Sequence, residues 1–600
     1  MSFSDFFSVI KDVPTLLALK KGLKPRPGLM KDSVGLQFSE TAKTYRAQTA
    51  ILFEGESVSW GECNKLANRY AHALQDVGVV RGDAVSIVMQ NRIEFIALVV
   101  AINKLGAIAG LINTNLRATP LQHCIVTTDS KVCVFGTELS NAIEEVRENV
   151  NLTSDQLLAI PDRDDSTPEW ATDFQQLSAD KSEDDPSSQF ESTLAETAFY
   201  VFTSGTTGLP KAAVVSNRRF LQLGRLATIA GLRCKVGDRI YLCLPLYHST
   251  GLVVGFSAAL CSGAAMFIRR RFSARNFLKD IREHHVTHMI YVGELLRYLH
   301  NIPRQSTDSD NPLHTIMGNG LRPDIWDDFK QRFGITRITE FYSASEGNFA
   351  FANIMNKDRT VGLTAAKVAL VKYDVENDEI VKDENGRCIE VSPGEPGLCL
   401  GHINPNAKFE GYTDPEATKK KVLENVFEDG DQWFNSGDLL KTIDVGFALG
   451  YTHFQFVDRI GDTYRWRSEN VSTNEVAEIL NGFEQVAVSN VYGVKVPGTE
   501  GRAGMVAISL NEGVDQLDTI AFSKFVAQNL PHFARPVFVR IQTNVETTST
   551  FKVVKKELRS DGYDIDKISD PVYVLKKGSV SYEPLDKDFL ESIQQGTAKF

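Results

Sequence analysis

The sequence predicts an α/β protein: a largely parallel sheet with helices on its faces, spread over at least two domains. Three observations carry this. Six hundred residues exceed what one hydrophobic core normally supports. From Ser57 onward, short β-branched runs alternate with stretches of helical apolar period, the pattern of βα units. A strand at residues 198–202 also runs directly into a loop of glycines and hydroxyls, as strands do where α/β sheets meet anions.

Residues 3–24 place Phe3, Phe6, Phe7, Ile10, Leu16, Leu17 and Leu19 at roughly helical spacing, followed by Lys20, Lys21 and Lys24. Such a segment either lies on an anionic membrane surface or packs on its own domain. Pro14 argues against one continuous surface helix and for a packed pair. Residues 58–78 have helical apolar spacing, 84–90 form a short buried strand after a Gly-Asp turn, and 92–105 and 107–112 give a helix and a strand. The apolar run 95–112 is interrupted by Asn103 and Lys104, which suits a buried helix and strand better than a membrane span. INTNLRATPLQHC, from Ile112, reads as a turn, and the Asp-, Ser- and Pro-rich residues 162–193 and 304–311 read as exposed loops. No internal repeat is evident.

A composition of 42% apolar and 24% charged residues is that of a globular protein, and a net charge of -11 excludes nucleic acid as an expected partner. Eight cysteines without a CxxC pair read as buried thiols in a reducing compartment. The start lacks a basic region and cleavage site of a secretory leader, so a cytoplasmic protein is expected, touching a membrane at most from its inner face.

The loop from Tyr200 to Lys211 reads YVFTSGTTGLPK. Gly205 and Gly208 let backbone N–H groups approach phosphate oxygens, Thr203, Ser204, Thr206 and Thr207 add hydroxyl donors, and Lys211 adds a positive charge. It is not a Walker A loop, and a flexible Ser/Thr/Gly hairpin would have the same composition. Further along, His248 follows an apolar strand in YLCLPLYHSTG, and Gly318, Asn319 and Gly320 end a short strand. ITEFYSASEG puts Glu340, Phe341, Tyr342, Ser345 and Glu346 at another strand's end. Asp438 follows a Ser-Gly turn in WFNSGDLL, and Lys552 sits in the hydroxyl-rich TSTFKVVKKEL, with Lys555 and Lys556 read as solvated. Taken singly, each has a bland reading: a satisfied core histidine, a cap, a solvated lysine.

In this order the motifs resemble those of the adenylate-forming enzymes, the acyl-CoA synthetases and their luciferase-like and peptide-synthetase relatives. DRIGDTYRWRSENVSTNEVAEIL, with LINTNLR at 111–117 and YEPLD near the end, is similar to the fatty-acid transport protein and very-long-chain acyl-CoA synthetase branch. The resemblance runs from about residue 57 to about 597. It implies a large domain of stacked, mainly parallel sheets with helices and a smaller β subdomain, then a small mobile α+β domain. The expected divisions are an amphipathic entry segment 1–56, a large domain 57–458, a hinge 459–462 and a small domain 463–600.

The resemblance also implies roles. Thr203, Ser204, Gly205, Thr206, Thr207, Gly208 and Lys211 would hold the β- and γ-phosphates of ATP. Gly318, Asn319, Gly320, Glu340, Phe341 and Tyr342 would border the adenine, with Tyr342 stacked on it. Ser345 would bind the α-phosphate, Glu346 the Mg²⁺, and Asp438 and Arg459 the ribose, while His248 borders the substrate channel and Lys552 is the catalytic lysine. Ser343 and Ser345 replace the family's Gly and Thr, the second keeping its hydroxyl, and Arg467-Ser468 replaces a frequent Lys-Gly on the thiol side. The implied reaction is ATP-dependent activation of a long-chain or very-long-chain fatty acid, then transfer to coenzyme A. A bile-acid, carnitine-like or aryl acid would use the same nucleotide site, and uptake of fatty acid by acylation at a membrane through residues 1–30 is the other reading. The oligomeric state is left open.

Overall fold

The computed structural model describes residues 3–22, 26–163, 165–203, 209–375, 379–405, 407–460, 462–466, 469–497, 499, 501–542 and 555–600. Ser204, Gly205, Thr206, Thr207, Gly208 and Lys552, and with them most of the expected phosphate loop and the expected catalytic lysine, lie outside the described residues.

The alternation that begins near Ser57 folds into two sheets with parallel interiors. Among the described residues, one has seven strands, in the order Thr172–Asp173, Leu157–Ile160, Ser130–Gly136, Ala84–Val88, Ile108–Leu111, Thr197–Thr203 and Lys211–Ser216. All its pairs are parallel except the last hairpin. The other has eight, with Arg239–Leu242, His288–Val292, Thr315–Asn319 and Arg337–Ser343 parallel at its centre. A single apolar core joins the two sheets to the helices between them. Helix Ile93–Lys104 shows why: it is apolar on every side and buried on every side, with Phe95 to Ile102 fully covered. Even Lys104 is enclosed there, donating to Ser39, Asn64 and Asn68 and pairing with Asp185. Buried charge is tolerated when it is paired and fully hydrogen-bonded, as here.

An antiparallel sheet follows, centred on the long strand Gln432–Ile443, which pairs with Gly397–His402, Val422–Glu424 and His453–Arg459. The chain then builds a separate core over residues 464–593, where helices Thr473–Leu480, Thr519–Asn529 and Lys587–Gln594 pack with the strands Val486–Val494, Ala503–Leu510 and Phe538–Ile541. The eight cysteines are free thiols, seven of them buried. Among the described residues no helix is long and apolar enough to cross a membrane.

Several local expectations are corrected. The segment read as a turn after Ile112 contains helix Ala118–Thr128, because Leu121, Cys124, Ile125 and Thr128 share a buried face that outweighs the turn-like composition. The loop 162–193 is not wholly exposed: it carries helix Phe174–Ser178, whose Phe174 packs on Tyr70, and it supplies Asp185 to Lys104. Phe3–Gly22 is one helix despite Pro14. Asp12 pairs with Arg233, while Leu16 and Leu19 pack with Ala230, Ile354 and Met355. Anchors on both sides of Pro14 hold the helix across it, a tertiary override of local propensity. Asp438 lies within a continuous strand, in a bulged stretch where Gly437 takes φ +77, rather than after a free turn.

Candidate active site

The carboxyl ends of strands from both large sheets, and one face of the small domain, open on a common cavity of ≈ 1980 Å³. Thr203, Lys211, His248, Asn319, Gly320, Glu340, Phe341, Tyr342, Ser345, Glu346, Asp438 and Arg459 all line it, so residues separated by up to 256 positions in the chain meet at one place.

The Gly-Asn-Gly turn is shaped by its neighbours. A Cβ on Gly318 would lie 2.2 Å from the Tyr291 carbonyl oxygen, and Gly320 takes φ +85, so both must be glycine. Glu340 fastens the turn: its buried carboxylate accepts from Gly320 N and Leu321 N, each at 2.9 Å, and from Tyr291 Oη at 2.5 Å. Burial pushes Glu340 up to about 7. The side chain thus positions the turn, and three donors already occupy it. Asn319 Oδ1, by contrast, is buried with no hydrogen-bond partner among the described residues. It is an acceptor ready for an amino group.

Asp438 stands beside Arg459 across paired strands, with Nε 3.6 Å from Oδ1. Its other oxygen accepts from Tyr342 Oη at 2.5 Å. The Tyr342 ring sits among Phe349, Phe351 and Phe456, and burial, then the Asp438 charge, raise its hydroxyl well above the usual tyrosine range. Glu346 accepts from Tyr412 Oη at 2.7 Å, and Lys211 Nζ lies 5.8 Å from the centre of the Tyr412 ring. Ser345 Oγ is 2.9 Å from Ser249 Oγ, which ties it to the turn carrying His248. Among the described residues no group of three or more His, Cys, Asp or Glu could hold a metal. Glu346 alone suits an ion that arrives on phosphate oxygens and keeps its waters, as Mg²⁺ does.

At the small domain the expectation of a solvated Lys555 fails. Lys555 Nζ donates to Thr473 Oγ1 at 2.7 Å and lies 3.7 Å from Asp462, and burial lowers its pKa. Asp458, 1% exposed, accepts from Thr473 N, Thr473 Oγ1 and Asn474 Nδ2 at 2.7, 3.0 and 3.1 Å. Burial raises its pKa. Arg322 Nη2 donating to Glu478 O at 3.0 Å is a further bond between the parts. Sequence reasoning missed Ser249, Tyr412, Asp458 and Lys555 as members of the site. Only Asp458 carried a signal, its place beside Arg459 in the DRIGD string; the others depend on long-range packing.

These features define an α/β protein with a deep cleft at its sheet edges that runs from polar to apolar. The chain belongs to the AMP-binding enzyme family, whose sequence profile matches residues 38–399. It is 38% identical to the medium/long-chain-fatty-acid–CoA ligase FadD6 of Mycobacterium tuberculosis, covering 98% of this chain and 95% of that protein. It is also 38% identical to long-chain fatty acid transport protein 6 of Mus musculus, over 94% of this chain and 90% of that one. ATP-bound MatB from Rhodopseudomonas palustris shares the fold, with a TM-score of 0.73 and 21% identity over 88% of this chain and 99% of MatB.

Proposed function

We propose that the protein is a long-chain or very-long-chain fatty acid–CoA ligase that forms an acyl-adenylate and then the CoA thioester. The observation that carries this is one cavity holding both a polar end, with Asn319, Asp438 and Glu346, and an apolar wall, with Leu223, Leu226, Val253 and Val254. The near full-length similarity to a fatty acid–CoA ligase supports it.

In this reading ATP enters with Mg²⁺. Asn319 Oδ1 accepts from the adenine amino group, Tyr342 flanks the ring, and Asp438 with Arg459 receives the ribose hydroxyls. Glu346 would hold the Mg²⁺, which would offset negative charge on the phosphates, while Ser345 takes the α-phosphate and Thr203 to Lys211 the β- and γ-phosphates. The fatty carboxylate oxygen attacks the α-phosphorus, forming an O–P bond as pyrophosphate leaves. A carboxylate is a weak nucleophile, so alignment and charge neutralisation must supply the rate. Lys552 serves the charge that develops between carboxylate and α-phosphate. The small domain then turns about residues 459–462, and the coenzyme A thiolate attacks the acyl carbonyl carbon, releasing AMP. His248 borders the channel where the thiol meets the acyl carbon.

AMP release that requires acid, ATP and coenzyme A together is the test, over saturated acids of rising length and bile-acid, carnitine-like and aryl acids. The highest kcat/KM is expected with long-chain acids; a preference for an aryl or bile acid would overturn the substrate class.

A second reading is favoured by helix Phe3–Gly22, which leaves Ile10 and Leu17 exposed beside Lys20 and Lys21. It would hold the enzyme peripherally at the inner, cytoplasmic face of a membrane. Flotation with phosphatidylserine vesicles is expected to carry the protein upward, and Leu17→Ser with Lys20→Glu and Lys21→Glu to abolish this. Equal flotation of both proteins would count against the helix.

A further inference from the structure

Helix Asn217–Leu226 presents Arg219, Leu223 and Leu226 to the cavity at positions i, i+4 and i+7, which share one helix face. The face begins in a cation and continues in leucine over about 10 Å at the helical rise of 1.5 Å per residue. Val253 and Val254 also line the cavity, on the π-helical turns Thr250–Phe256, a distortion that recurs at functional sites. Leu226 and Phe341, which also line the cavity, pack against the apolar cluster that holds Leu16 and Leu19 of helix Phe3–Gly22.

Arg219 is unusual in what it lacks. Nη2 donates to the Ala344 carbonyl at 2.7 Å, but Nη1 is buried with no hydrogen-bond partner among the described residues. The acids whose charges act on it are already engaged: Glu410 accepts from Ser216 N and Ser216 Oγ, and Glu346 accepts from Tyr412. Burial lowers the pKa of Arg219, and Glu410 and Glu346 oppose that only through their fields. A sequestered guanidinium with an unused donor is costly unless something brings it a counter-charge. The Ala344 carbonyl it grips immediately precedes Ser345 and Glu346, so an anion on Arg219 would lie beside the groups assigned to the α-phosphate and Mg²⁺.

We propose that Arg219 is the carboxylate-binding residue of the acyl site, so that helix Asn217–Leu226 takes a fatty acid head first, its carboxylate on Arg219 and its chain along Leu223 and Leu226. This rests on the ligase reading and adds the determinant that orients the acid. It also explains how two anions can be brought together: Arg219 screens the carboxylate from the triphosphate it attacks.

The test is equilibrium binding to the full-length protein, without ATP, of a long-chain fatty acid and of the primary alcohol of equal length. The wild-type protein is expected to prefer the acid by at least about tenfold. Arg219→Gln should weaken the acid by about 10- to 100-fold, leave the alcohol unchanged and raise the KM for acid but not for ATP. Arg219→Lys should recover part of the preference. Retention of the acid preference by Arg219→Gln would overturn the proposal, as would equal loss of acid and alcohol, which would mark Arg219 as a support for Ala344 alone. The two readings fail separately. Acid preference without AMP formation would sink the ligase and leave the subsite standing; AMP formation with an unchanged acid KM in Arg219→Gln would sink the subsite alone.

Discussion

Lys552→Ala is expected to lose acyl-adenylate formation by about 10²- to 10³-fold while still converting supplied acyl-adenylate to thioester. The asymmetry follows from the charges in each half-reaction. In the first, a carboxylate approaches a polyanion, and a lysine between them acts where negative charge is concentrated. In the second, the thiolate attacks a carbonyl already activated by AMP, and that lysine has no comparable charge to offset. Pyrophosphate exchange reports the first half-reaction and CoA-dependent consumption of acyl-adenylate the second. Equal loss of both would remove Lys552 from its assigned role.

Asp438→Ala is expected to raise the KM for ATP by about 10- to 100-fold, with the KM for fatty acid unchanged. Ribose hydroxyls would lose a charged acceptor, and Arg459 its carboxylate neighbour at 3.6 Å. The substitution also takes the carboxylate acceptor from the half-buried Tyr342 hydroxyl, a loss of about 1 kcal/mol of stability. Thermal melting separates the two effects. Tyr342→Phe combined with Asp438→Ala should recover stability without recovering ATP affinity. An unchanged ATP requirement in the single variant would exclude a ribose contact.

Elements whose apolar period matched their burial were legible in the sequence, such as the helix 92–105 and the strands on either side of it. Helix Ala118–Thr128 was not, because Asn, Thr and Pro dominate its approach while its buried face is only four residues wide. For the site, the motifs brought Asn319, Tyr342, Glu346 and Asp438 to a common place, yet residue type alone did not tell what each side chain touches. Glu340 looks like a ligand carboxylate in sequence and is a fastener for the turn before it. Lys555 looks like a surface lysine and is enclosed at the joint, since Thr473 and Asp462 come from a different part of the chain. Tyr412 and Arg219 fall outside every motif, and only folding brings them beside Glu346 and Ala344.

The bonds around Asp458 bear on the domain swing proposed above. Asp458 lies at the end of strand His453–Arg459, and besides Arg459 N the donors on its carboxylate belong to Ser472 and the first residues of helix Thr473–Leu480. Thr473 Oγ1 both donates to Asp458 and accepts from Lys555, so the segment that follows residue 554 is tied into the same knot. A turn of the small domain cannot release these one at a time without stranding a buried charge. In the proposed swing they would part as a set. Asp458 would then act as an escapement, its bonds to the first turn of helix Thr473–Leu480 setting how long the domain dwells in this orientation.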